Sequence, residues 1–274
     1  MTRACGVILV LLILVSCAKH HDDDGDGAMN NSNLKEDLLL LQTKRIYFGH
    51  QSVGEDIMNG LRSILRQHPD VRLNLVTAKG QVELPESFFL DSFVGENRRT
   101  DLKCADFIRC IDSVAGGRLD IAMLKFCFAD IQRETNIQEI FERYTGTIDS
   151  LRKRHPAVTF VHMTVPLSAG TSGLKRLVNT VLGRMGNNDM ANVNRHRFSE
   201  KLKERYSGEP VFDLASIEST YPDGTRESYT YEGKTYYSMI ADYAAADGDH
   251  LNEKGQELAA RALIRMLADL ARRK

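Results

Sequence analysis

Lys44-Arg45-Ile46-Tyr47-Phe48-Gly49-His50-Gln51-Ser52-Val53-Gly54 decides how the rest of this chain is read. Arg45–Phe48 is a β-type run. A helical pattern opens near Val53, and Ile57, Met58, Leu61, Ile64 and Leu65 fall at helical spacing over residues 55–67. A serine on such a strand-to-helix turn has its hydroxyl at the carboxyl edge of a sheet and over a helix N-terminus, where an anionic intermediate is favoured. Taken alone, Ser52 could equally be a helix cap. A second stretch, Asp247-Gly248-Asp249-His250, shifts that balance. With a carboxylate three residues before a histidine, one loop can carry both a general base and its orienter. The two stretches supply nucleophile, orienter and base in the order Ser52, Asp247, His250. Asp249 has poorer reach to the ring of its immediate neighbour, so Asp247 takes the orienting role.

Working outward, β-type runs alternate with helical patterns. The pattern predicts strands over Leu73–Thr77, Leu119–Phe126, Thr159–Val165 and Pro210–Leu214, and helices over Asp101–Val114, Ile137–Arg154, Met190–Tyr206 and Glu253–Arg272. This βαβ alternation implies a single three-layer α/β/α domain of flavodoxin-like type with a central parallel sheet. Ligands in such sheets collect at the carboxyl ends of the strands, beside which both Ser52 and the Asp247–His250 loop fall.

The front of the chain reads differently. Residues 1–16 have the form of a signal peptide: Arg3, then an apolar stretch from Gly6 to Val15 that is too short to span a bilayer. Leu14-Val15-Ser16-Cys17 resembles a bacterial lipobox, which makes Cys17 a lipidated anchor in the cell envelope, facing periplasm or exterior. Residues 17–38 include an Asp-, Gly- and Asn-rich tract and are expected to be a flexible tether, with the folded domain over 39–274. His20, His21 and the neighbouring aspartates lack the rigid geometry of a metal site.

Composition narrows the function classes. The 36 basic residues stand against 37 acidic ones, and removal of Arg3 would make the balance one unit more acidic. Nucleic-acid binders usually carry a basic surplus, so no nucleic-acid partner is expected. Neither C-x-x-C nor H-E-x-x-H occurs, so no metal and no other cofactor is expected. Cys104, Cys110 and Cys127 form an odd set whose pairing the sequence does not fix.

On these residues the chain resembles the SGNH (GDSL-type) hydrolase superfamily over roughly residues 44–270, in a divergent branch. Asp247-Gly248-Asp249-His250-Leu251-Asn252 with Gly255 is similar to the family's last block. Asn194–Phe198 with Leu202, and Val161–Pro166, resemble its penultimate helix and the strand before it. The resemblance implies Ser52 as nucleophile, His250 as base and Asp247 as orienter. It implies an oxyanion hole from the amides of Ser52 and Gly95, with Asn97 or Lys125 as the side-chain donor. Two departures stand out. His50-Gln51 precede the serine where the family has Gly-Asp, and Cys127 falls where an asparagine donor is expected.

His50, Gln51, Lys125 and Cys127 are the further candidates for lining the site. Six of the nine tyrosines lie between Tyr221 and Tyr243, around a hairpin-like stretch over 229–237. They read as cross-strand pairs, as an aromatic wall for a sugar, or as both at once. The expected activity is that of a serine esterase removing O-acyl, above all acetyl, groups from an extracytoplasmic glycan or a small ester. The membrane is met only through the lipid anchor. Two other readings were weighed: a non-catalytic SGNH-like carbohydrate-binding lipoprotein, and an α/β-hydrolase, which draws its acid and base from separate loops.

Overall fold

Six parallel strands form the central sheet, in the order β2-β3-β1-β4-β5-β6. They are β1 (Arg45–His50), β2 (Leu75–Thr77), β3 (Phe88–Phe93), β4 (Ile121–Leu124), β5 (Thr159–Met163) and β6 (Val211–Phe212). The structure is a computed structural model describing residues 24–80, 82–114, 118–171 and 185–273. Without the edge strand β2, the remaining five run 2-1-3-4-5 in chain order, the doubly wound arrangement. Its ligand crevice lies where the connections part to opposite sides, at the carboxyl ends of β1 and β4.

The period-two alternation of each strand divides the core into two layers. Ile46, Phe48, Phe89, Met123 and Val161 face one layer, where they meet Ile57 and Leu61 of a helix over Ser52–Gln67 and Leu263 and Leu267 of the closing helix Glu253–Arg272. Tyr47, Phe88, Leu90, Ala122 and Leu124 face the other. There they meet Phe107, Ile148, Phe198 and Leu202 from helices over Thr100–Arg109, Ile137–Arg154 and Asn187–Arg205. In chain order the helices are α1 (Asp24–Leu41), α2 (Ser52–Gln67), α3 (Thr100–Arg109), α4 (Ile137–Arg154), α5 (Asn187–Arg205), α6 (Leu214–Ser219) and α7 (Glu253–Arg272). No helix among the described residues is long and apolar enough to cross a membrane.

Three expectations need correction. Strand β3 is absent from the sequence reading, because Asp91 and Ser92 interrupt its apolar pattern. Both are buried and satisfied, Asp91 against His50 and Ser92 against the Tyr47 hydroxyl. The tether does not extend to residue 38. Helix α1 already spans Asp24–Leu41, with Leu34, Leu38 and Leu41 buried in the α7 layer and buried Asp37 paired with Arg272. The polar composition before residue 33 concealed the apolar spacing of Leu34, Leu38 and Leu41 that follows it. Residues 1–16 and Cys17 lie outside the described residues. The cysteine question resolves simply: Cys104, Cys110 and Cys127 are buried free thiols.

The stretch rich in tyrosine forms a hairpin, β7 (Ser228–Tyr231) and β8 (Lys234–Tyr237), with Tyr229 directly opposite Tyr236. Their rings lie 6.1 Å apart, and Tyr236 packs edge-on to His196 at 5.3 Å. These contacts fit the cross-strand reading; within the hairpin Tyr236 is buried and Tyr229, Tyr231 and Tyr237 are half-buried.

If α1 belongs to the folded unit, Leu38→Ala should lower the unfolding free energy by about 2–4 kcal/mol, as for other fully buried leucines. Urea unfolding reads this directly. A loss below about 0.5 kcal/mol, the range of surface substitutions, would detach α1 from the core.

Candidate active site

The turn that carries Ser52 is built from its preceding residues. Gln51 has extended φ/ψ and caps α2 through its carbonyl, which accepts the amides of Gly54 at 2.7 Å and Glu55 at 3.2 Å. Its side-chain nitrogen donates to the carbonyls of Val94 and Gly95, both at 2.8 Å. One residue thus ties the start of α2 to the loop after β3. Ser52 opens the helix, so its amide and that of Val53 have no intrahelical acceptor and point out with the positive end of the helix dipole.

His50 lies beneath this turn and is wholly buried. Its Nδ1 faces the Gln51 carbonyl at 3.1 Å and its Nε2 faces Asp91 Oδ2 at 3.2 Å. Asp91 Oδ1 accepts the Thr77 hydroxyl at 2.9 Å. Both ring nitrogens meet oxygens that accept, so the His50–Asp91 pair holds a proton at each contact. Glu55 brings a third ligand-type atom within 4.8 Å of this pair. Arg62, however, binds Glu55 at 2.7 Å and approaches Asp91 at 3.9 Å, so the cluster is already an ion-pair network. His50 supports the site from below and does not line it, which corrects that expectation.

The Asp247–His250 loop is fastened at both ends. Ala245 N–H donates to the His250 carbonyl at 2.7 Å, Ala169 N–H donates to the Gly248 carbonyl at 2.7 Å, and Asn252 caps α7 by accepting the Gly255 amide at 3.0 Å. Inside the loop, Asp247 Oδ2 meets His250 Nδ1 at 2.5 Å, while its Oδ1 accepts the amides of Asp249 and His250, both at 3.0 Å. Partial burial raises the Asp247 carboxyl. The Asp249 amide, the His250 ring and the His250 amide outweigh it, bringing the group down to about 2. With Nδ1–H committed to Asp247, His250 Nε2 carries the free lone pair. Asp249 is engaged elsewhere: its Oδ1 lies 2.5 Å from Ser168 Oγ, which also accepts from Arg195 at 2.6 Å.

These two halves come together at the carboxyl edge. Asp56, one helical turn after Ser52, accepts the Leu251 amide at 3.1 Å, joining α2 to the residue after His250. Ser52 Oγ lies 3.7 Å from Cys127 Sγ, and the next residue, Phe128, meets the His250 ring edge-on at 5.4 Å. Among the described residues Ser52 and His250 share no hydrogen bond; the serine hydroxyl is turned to the thiol. Arg195 sits over the Phe128 ring at 5.7 Å and donates to its carbonyl at 3.0 Å. Phe128 and the site role of Arg195 were missed by the sequence reading. An aromatic after Cys127 gave no signal that it would meet a histidine far along the chain.

The oxyanion expectation is corrected in part. Gly95 N–H donates to Asp106 Oδ2 at 2.8 Å and is not free for an oxyanion. Gly95 has φ +52, and a Cβ there would come within 2.4 Å of the Lys103 amide, so the glycine permits a tight turn against α3. Asn97 is exposed, its oxygen accepting from Lys103 at 3.0 Å. Lys103 in turn forms a buried pair with Asp130 at 2.5 Å, and Asp130 accepts the Cys127 amide at 2.6 Å. Lys125 is fully buried, its ammonium 3.4 Å from the Phe126 carbonyl, and burial pushes its pKa down. It too lies below the site rather than in its wall.

Helices cover both faces of the sheet in a three-layer α/β/α arrangement, and the Ser52 turn and the Asp247–His250 loop occupy the crevice at its switch point. No family model and no curated protein matches the chain. Solved structures do. A carbohydrate esterase family 3 protein from Talaromyces cellulolyticus aligns with TM-score 0.50 and 12% identity, over 84% of this chain and 98% of that one. An acetyl esterase solved with acetate ion aligns with TM-score 0.50 and 12% identity, over 84% and 97%. A lipase/acylhydrolase from Enterococcus faecalis aligns with TM-score 0.48 and 14% identity, over 83% and 96%.

Glu218 provides a test of the buried charges around this site. Burial pushes its carboxyl up to about 8 from 4.5; its Oε2 accepts the Leu167 amide and its Oε1 has no partner. The folded state holds this proton where the unfolded chain releases it, so stability is greatest at the lowest pH of this window and falls as pH rises through it. Glu218→Gln lacks that dependence. Between about pH 5 and pH 8 its stability relative to the parent chain should rise by roughly 1 kcal/mol per unit. Denaturant midpoints across that range measure it; parallel curves would mean that Glu218 is ionised in the fold.

Proposed function

We propose that the chain is a serine esterase that removes O-acyl, above all acetyl, groups from a glycan. The observation that carries this reading is the Asp247–His250 pair, 2.5 Å apart, on a fastened loop joined through Leu251 and Asp56 to the helix that Ser52 opens. The fold shared with esterases and acylhydrolases supports it. The carbohydrate esterase and the acetyl esterase among those structures favour an acetylated sugar as substrate.

The chemistry follows from the roles. His250 Nε2 accepts the Ser52 hydroxyl proton as Ser52 Oγ forms a bond to the ester carbonyl carbon. The carbonyl oxygen takes up the negative charge against the free amides at the start of α2. Collapse expels the alcohol, which receives the proton from His250. Water, deprotonated by His250, then attacks the acyl-enzyme and releases the acid and Ser52. Asp247 holds the ring tautomer and offsets its positive charge. The Ser52 hydroxyl faces Cys127 before reaction, so closure of the Ser52–His250 hydrogen bond accompanies substrate binding.

One observation favours a second reading, an SGNH-like carbohydrate-binding lipoprotein without catalysis: the Gly95 amide is held by Asp106. Under either reading residues 1–16 serve as the export signal and Cys17 as the lipid anchor. Mass spectrometry of the membrane-extracted protein tests this, with an acylated N-terminal Cys17 expected.

A fluorophosphonate probe should label the parent chain at Ser52 and leave Ser52→Ala unlabelled. On p-nitrophenyl acetate, Ser52→Ala and His250→Ala should each lose about 1000-fold or more in kcat, and the double variant should be little worse than either. Asp247→Asn should lose about 100- to 10,000-fold, because the ring loses its held tautomer and its counter-charge. Ser52→Ala retaining full activity would sink the assignment. Inertness toward small esters and acylated glycans alike would favour the binding protein.

A further inference from the structure

Phe93 is 52% exposed, against 37% for Leu39 and 36% for Leu258, the other exposed large apolar side chains among the described residues. Those two leucines belong to α1 and α7, and Leu258 lines a cavity between these helices with Leu34 and Asp37. Phe93 stands apart from them. It is the last residue of β3, directly opposite His50 in the parallel register and on the sheet face that α2 covers, at the edge where Ser52 begins that helix.

Single exposed apolar side chains are common on protein surfaces; Phe93 is set apart by its place, at the carboxyl edge of the sheet beside the start of α2. Its ring is also held in place. The Phe93 centroid lies 5.2 Å from that of His50, which is itself pinned by Asp91, by the Gln51 carbonyl and by close packing against Gly54. The Val94 amide donates to the His50 carbonyl at 2.9 Å, and Gln51 holds the Val94 and Gly95 carbonyls. The ring therefore needs little ordering when a ligand arrives.

We infer that Phe93 is the sugar-binding platform of this site: a fixed aromatic face that stacks on the apolar face of a pyranose ring and presents its O-acyl group to Ser52. This rests on the esterase reading for the acyl group, though not for the sugar. The surroundings favour a sugar over a fatty acyl chain. A long chain needs contiguous apolar surface, whereas Phe93 offers one ring followed by the exposed polar run Glu96, Asn97, Arg98 and Arg99. Such a rim supplies hydrogen-bond partners for sugar hydroxyls and nothing for methylenes.

The experiment compares Phe93→Ala and Phe93→Trp with the parent chain on three probes: methyl glucopyranoside tetraacetate, p-nitrophenyl acetate and p-nitrophenyl octanoate. Phe93→Ala should raise KM for the sugar ester about tenfold, the loss of one good stacking contact, with kcat within about twofold. On p-nitrophenyl acetate it should match the parent, and Phe93→Trp should restore the sugar KM. Equal losses on octanoate and the sugar ester would make the ring an acyl-chain contact and overturn the proposal. So would a sugar KM unchanged by Phe93→Ala. A parent chain inert on all three esters removes the esterase reading alone. The platform is then read from saturation-transfer NMR of the same sugar, whose signal should vanish in Phe93→Ala; a signal absent from the parent or retained in the variant overturns it. Thermal unfolding of Phe93→Ala close to that of the parent separates these outcomes from misfolding.

Discussion

The turn that carries Ser52 depends on the contact between His50 and Gly54. A Cβ on Gly54 would come within 2.2 Å of His50 Cβ, so only glycine lets the first turn of α2 sit directly on the buried ring. From that contact the rest follows. His50 meets the Gln51 carbonyl, Gln51 clamps the loop after β3, and Ser52 is left at the helix tip with its amide free. Asp91 and Thr77 hold the ring from the neighbouring strands. The sheet's own edge therefore fixes where the serine stands, and the loop bearing His250 is brought to it by a separate bond from Asp56.

Much of this was legible in the sequence because it is local. The strand-to-helix turn around Ser52, the carboxylate three residues before His250, and the βαβ alternation all declare themselves by spacing. Reach along the chain also favours Asp247 over Asp249 beside the ring; in the structure Asp247 meets His250 Nδ1 and Asp249 is held by Ser168. What stayed hidden depends on long-range pairing. β3 looked broken because Asp91 and Ser92 acquire partners only once the sheet is assembled. Gly95 looked like an amide donor because nothing in its neighbourhood announces that Asp106 will capture the N–H. His50 and Lys125 looked like wall residues, yet a residue at a strand end can project beneath the site as easily as into it.

The layer beneath the crevice is unusually rich in buried ionisable groups. Lys103 and Asp130 form a dry pair, Arg195 is shared among Ser168, Asn192 and the carbonyls of Ile131 and Phe128, and burial brings its guanidinium down to about 10. Replacing such groups with apolar ones of similar volume often leaves stability unchanged or improved, so they are weak evidence for a stabilising role. What they do here is positional. Asp130 holds the Cys127 amide, and Arg195 holds the Phe128 carbonyl and face. The two residues that touch Ser52 and the His250 ring are thus held in place.

That arrangement bears on how strong an oxyanion hole this fold can offer. Cys127 stands where an amide side chain is expected, and a thiol is a weak donor. With the Gly95 amide committed to Asp106, the charge must be met by the tip of α2 itself. Losing one preorganised donor typically costs about 2.7–4 kcal/mol at the transition state. An amide carbonyl is stabilised by resonance, which gives its C–N bond a rotational barrier of about 18–20 kcal/mol, and it needs more help than an ester to become tetrahedral. A hole supplied by one helix terminus is therefore matched to esters. On the proposed reading, a small acyl group on a sugar oxygen asks least of the oxyanion hole and takes most of its binding from the alcohol side, which the inferred platform Phe93 would supply.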